Sequence, residues 1–121
     1  MLRRIPLVLA VLALLVGGGW LLRPAVGGPA EDAQAAAVKA GEALWKKSWG
    51  GKSCAECHTS GPNAMKAARL KAYPKFDRAL AKVVSAQQKI NQMIVEKSRG
   101  TALELGSDAL NALEAYISTL R

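Results

Sequence analysis

A small all-α domain is what this sequence predicts, and three observations predict it. Apolar residues recur at helical spacing in several segments, as in helices that bury one face. No stretch alternates polar and apolar residues with period two, so no sheet is expected. Half of the 121 residues are apolar, yet one Phe, two Tyr and three Trp are too few for aromatic side chains to be the main filling of a core. A domain of roughly ninety residues buries only a modest share of its surface, so a large apolar group at its centre is expected to supply contacts that the side chains do not.

The N-terminus stands apart from that domain. Arg3 and Arg4 precede an apolar run from Ile5 to Leu22, followed by Arg23 and the small residues Ala25 to Ala30, the pattern of an export signal. Residues 1–30 are therefore expected to be a signal peptide. The run 5–22 also reaches the lower limit for crossing a bilayer, which makes an uncleaved membrane anchor the alternative, with Arg3 and Arg4 on the cytoplasmic side. Either way the working domain, residues 35–121, is expected in the periplasm. A Gly, Pro and Ala linker from Gly27 to Ala37 leads into it.

The first helix follows from Ala37, Gly41, Leu44 and Trp45 at i, i+4, i+7 and i+8, with Lys39, Glu42 and Lys46 on another face. Gly41 is expected to let a neighbouring backbone come close. Pro74 and Asp77 read as the start of a further helix that carries Leu80, Val83 and Val84, continues through Ile90, Met93 and Ile94, and ends at Gly100. Gln87 and Gln88 either break that helix or lie within it. The last helix has Ser107 as its cap, Asp108 in its first turn, and Leu110, Leu113, Ile117 and Leu120 as its stripe. Acid at its start and Arg121 at its end suit the helix dipole.

Cys54-Ala55-Glu56-Cys57-His58 is the C-x-x-C-H pattern by which haem c is attached covalently. The spacing has a mechanical reason: helical positions three apart lie about 5–6 Å apart on one side, so both thiols reach the two vinyl groups of one porphyrin. His58 is then carried under the iron. Two other readings of the cysteines fail on donors and context. A structural zinc site needs four ligands, whereas the chain offers two Cys and a single His. A thioredoxin-like disulfide belongs in a βαβ setting, which the pattern lacks. With one haem enclosed, the expected fold is a class I cytochrome c-like helical domain.

Because His58 is the sole histidine, two histidine ligands from one chain are excluded. The sixth ligand is then a methionine, another donor, or nothing. Met65 lies seven residues beyond His58, a short path around a porphyrin edge. Met93 is separated by a loop and a helix and shares a stripe with Ile90 and Ile94, so it is the leading candidate, against a purely space-filling role. His and Met together raise the reduction potential relative to more strongly donating pairs. A carbonyl of the Gly61-Pro62 turn is a candidate acceptor for the other imidazole N–H, or the turn is an ordinary one. Trp45, Trp49 and Tyr116 are expected to pack between the first and last helices or on the haem.

Residues 1–30 hold Arg3, Arg4 and Arg23 and no acid, so without them 14 basic and 9 acidic residues leave a charge of +5. Lys46, Lys47, Lys52, Lys66, Arg69, Lys71 and Lys75 bracket the haem motif. This balance favours redox protein partners with an acidic docking surface, while for most of these residues a plain solvated surface is the simpler reading. Nucleic acid is not expected, for no basic run is interleaved with aromatics.

Several further pieces resemble one haem domain of the SoxA family, the dihaem cytochrome subunit of the bacterial thiosulfate-oxidising complex. They are Gly41-Glu42-Ala43-Leu44-Trp45, Ser53 to His58, Tyr73-Pro74-Lys75, Ile90-Asn91-Gln92 and Ala112-Leu113-Glu114-Ala115-Tyr116-Ile117. Where that family runs from Ile-Asn to a haem-ligating cysteine, this chain has Met93, and the resemblance thereby implies Met93 as axial ligand. The family also carries a modified cysteine in a further haem domain, and here there is no third cysteine. The resemblance thus implies ancestry and pathway rather than sulfur chemistry performed by this chain. The expected function is one-electron carriage and not catalysis. The alternatives are a relay subunit of a sulfur-oxidising complex and, if neither methionine reaches the iron, an open-site haem sensor.

Overall fold

A computed structural model describes residues 27–59 and 66–121. Helix α1 (Pro29–Lys46) starts with Pro29 at a position where a missing N–H costs nothing, and carries Glu31 and Asp32 in its first turn. Its residues up to Ala36 are exposed, and packing begins at Ala37, where the apolar pattern begins. Helix α2 (Cys54–His58) is short. Residues 66–68 are helical and lead into a 3-10 turn, Arg69–Ala72. Strands β1 (Lys75–Asp77) and β2 (Lys82–Val84) come next, followed by α3 (Ala86–Glu96) and α4 (Asp108–Thr119).

The main helix contact is α1 on α4, and Gly41 sets its closeness. A Cβ on Gly41 would stand 1.9 Å from the Ala112 carbonyl oxygen and 2.7 Å from Tyr116 Cβ, so only a residue without a side chain lets these two backbones cross there. The α4 stripe behaves as its spacing predicts. Leu110, Leu113 and Ile117 are buried, and Ser107 Oγ accepts from Leu110 N to cap the helix. Together with Trp45, Ala67, Ile90 and Ile94 they form one core.

The segment after Pro74 departs from the expected helix. Lys75–Asp77 and Lys82–Val84 pair as a two-stranded antiparallel ladder, so the domain is mostly rather than wholly helical. Asp77 decides the matter locally: its Oδ1 accepts from Ala79 N at 2.9 Å and Leu80 N at 3.2 Å, bonds that turn the chain back on itself. Ala81 completes the turn with φ 52°. The helix starts only at Ala86, where Ser85 and Gln88 form a reciprocal capping box with Ser85 Oγ accepting from Gln88 N at 3.2 Å. Gln87 and Gln88 therefore lie inside the first turn of α3. The helix ends at Glu96 rather than at Gly100, and the left-handed residue beyond it is Arg99, with φ 56°. Gly100 still contributes, its N–H donating to the Ile94 carbonyl at 2.9 Å. No helix among the described residues is long and apolar enough to cross a membrane, and the apolar run 5–22 lies outside them.

Candidate functional site

The two cysteines and His58 share α2, and the start of that helix is encoded in the residues themselves. Ser53 Oγ accepts from Glu56 N at 3.2 Å, while Glu56 Oε2 accepts from Ser53 N at 2.5 Å. This reciprocal box satisfies two N–H groups that a five-residue helix would otherwise leave open. The Ser53 backbone N–H is the main reason that the Glu56 carboxyl lies below the ordinary carboxylate range. Sequence reasoning named Ser53 and Glu56 but missed their capping role, although the S-x-x-E spacing that runs into the motif is the usual signal of such a box.

Cys54 is half-buried and Cys57 exposed. Burial pushes the Cys54 thiol above its ordinary value, against the opposite pull of the Trp49 indole N–H. Trp49 Nε1 is itself buried and makes no hydrogen bond of ordinary geometry. The His58 imidazole lies beside the Trp45 ring, centroids 5.6 Å apart and planes at 40°. Trp45 in turn meets Tyr116 at 5.8 Å. One buried indole therefore ties His58 to the α1–α4 contact, so the expected packing role of Trp45 and its place at the site are combined.

Cys54, Cys57, His58 and Met93 all line one cavity of about 450 Å³. Trp45, Ala67, Leu70, Ile90 and Ile117 make its wall largely apolar, and Lys66, Arg69, Lys75, Lys89 and Lys97 add cationic groups. Of the basic residues expected near the motif, Lys66, Arg69 and Lys75 are at the cavity. Lys46 instead pairs with Glu42, Lys71 donates to the Leu120 carbonyl, and Lys47 lies 4.9 Å over the Trp49 ring. Met65 and the Gly61-Pro62 turn lie outside the described residues.

Met93 reaches the cavity because α3 is clamped from both sides. The Asn91 side-chain amide donates to the Leu103 carbonyl at 2.7 Å and accepts from Leu103 N at 2.9 Å, which fastens the following loop to the helix. Gln87 binds Asn111, Glu114 and the Gly106 N–H, fastening the helix start to α4. Neither clamp was foreseen, since each partner lies far along the chain and local spacing carries no sign of it.

The arrangement fits a covalently held haem. Two thiols one helical turn apart, an adjoining imidazole and a thioether sulfur line one apolar cavity whose cations suit carboxylate groups. A zinc site lacks its donors: among the described residues no cluster of three or more His, Cys, Asp and Glu is placed to hold a metal ion. Compared with known proteins, residues 40–120 match the family model of the SoxA/TsdA cytochrome c domain. No curated protein and no solved structure matches the chain.

Proposed function

The chain belongs to the SoxA/TsdA cytochrome c domain family, and on that premise we propose that it is a periplasmic one-electron carrier with a single haem c, held through Cys54 and Cys57 and ligated by His58 and Met93. The observation that carries this reading is that one apolar cavity is lined by all four side chains. When bound, haem supplies reversible one-electron chemistry at its iron. Cys54 and Cys57 fix its orientation from one turn of α2. His58 offers an imidazole nitrogen whose ring is steadied by Trp45. Met93 offers a neutral, polarizable sulfur from a helix anchored at Gln87 and Asn91. Held by His58 and Met93 together, the group would exchange electrons and leave no open place for a substrate. Residues 1–30 would deliver the chain across the membrane as a cleaved signal or hold it there as an anchor.

Family membership also favours a place in sulfur-compound oxidation, with this chain relaying electrons from a partner that holds the catalytic centre. The carrier reading is tested by exposing the reduced native protein to carbon monoxide. An unchanged spectrum and a reversible one-electron wave are expected. A Soret shift on addition of the gas would instead assign an open iron site and the sensor function.

A further inference from the structure

Phe76 and Val83 face each other directly across the β1–β2 hairpin, and they are 60% and 66% exposed. Their exposure does not come from fraying. The next residue on each strand, Asp77 and Val84, is buried at 7% and 1%, so the opposed pair Phe76 and Val83 occupies the outward face while Asp77 and Val84 turn inward. An antiparallel hairpin that merely faces water carries polar side chains there. This one is also held rigid, because Asp77 Oδ1 accepts two backbone N–H groups of the turn while Oδ2 takes the Lys89 ammonium at 2.7 Å.

The charge around the pair has one sign. Lys75, Arg78 and Lys82 are exposed, Arg78 in the turn and the two long lysines emerging at the ladder's edges, where the register sets them opposite Val84 and Asp77, whereas the hairpin's acid, Asp77, is turned inward and paired with Lys89. Lys75 also lines the cavity that holds Cys54, His58 and Met93, and its ammonium lies 4.7 Å over the ring of Tyr73, another cavity residue. The apolar pair thus adjoins the redox site. A second copy of this chain would set like charges against each other.

We propose that Phe76 and Val83 form the centre of a docking surface for an acidic redox protein, with Lys75, Arg78 and Lys82 as its cationic rim. The proposal rests on the electron-carrier reading and deepens it, for it states what the partner presents: apolar side chains set among carboxylates. The rim accelerates encounter and makes it salt-dependent. The apolar centre, preorganised by Asp77, lengthens residence with little ordering cost.

The test uses ferrous, isotope-labelled holoprotein and two synthetic peptides of equal length and glutamate content, one interspersed with leucine and the other with serine. Amide shifts confined to residues 75–84 are expected, with the leucine peptide binding about tenfold more tightly than the serine peptide. That advantage should vanish in the Phe76→Ser/Val83→Ser variant and shrink in the milder Val83→Thr, both with an unchanged haem spectrum. Equal affinity for the two peptides, shifts elsewhere on the surface, or self-association abolished by the double variant would overturn the proposal. A colourless protein would sink the electron-carrier reading, whereas a coloured protein indifferent to leucine sinks this surface alone.

Discussion

At the residue scale, Met93 and Asp77 show what local spacing reveals and what it conceals. Met93 shares a stripe with Ile90 and Ile94, so its direction follows from helical period, and in the structure it lines the cavity. Replacement of Met93 by Ala is expected to abolish the sulfur-to-iron charge-transfer band of the oxidised protein and to lower its reduction potential. Survival of the band would return the assignment to another donor. Asp77 reads in sequence as a first-turn helix residue, yet its Oδ1 accepts from Ala79 N and Leu80 N to turn the hairpin, while its Oδ2 pairs with Lys89, twelve positions away. The Lys89 hydrogen bond is the first cause holding its carboxyl below the ordinary 3.8, with desolvation opposing. A carboxyl depressed in the folded state stabilises fully above its ordinary value, and that contribution is lost as pH falls through the folded one. Thermal melts should therefore decline more steeply below about pH 4 for the native chain than for Asp77→Asn, which carries no ionising group to lose.

At the scale of elements, helices with long, one-sided stripes were legible and the short ladder was not. Leu110, Leu113 and Ile117 allow one answer over twelve residues, whereas Leu80, Val83 and Val84 satisfy a helical face and a strand equally well over five. Two cues did favour the hairpin: adjacent β-branched residues at Val83 and Val84, and Ser85 with Gln88 as a capping box that starts a helix only after them. Removal of that cap by Ser85→Ala should cost about 1 kcal/mol. This corresponds to a Tm roughly 4–8 °C lower for a domain of this size. Gly41→Ala should be worse, because its methyl meets the Ala112 carbonyl and forces α1 away from α4 at a cost on the order of 1–3 kcal/mol or more. The motif helix was legible for a different reason: attachment chemistry requires Cys54, Cys57 and His58 within five consecutive positions, so no tertiary knowledge is needed to find them.

Across the whole molecule, the core and the candidate site share a boundary without being the same. Ile90 and Ile117 belong to the packed cluster and also line the cavity, while Leu113, fully buried in the same cluster, does not line it. Leu113→Ala should therefore destabilise the holoprotein by about 2–5 kcal/mol while leaving its visible spectrum unchanged. The sparse aromatic content points to the same division, since a small domain built around a cavity of about 450 Å³ relies on what fills that space. The most direct measurement is the intact mass of the denatured chain after maturation in a host able to attach haem. The expected result is a mass increased by one haem that persists on denaturation and is abolished in Cys54→Ser/Cys57→Ser. A chain at its bare polypeptide mass, with free thiols or a Cys54–Cys57 disulfide, would contradict it.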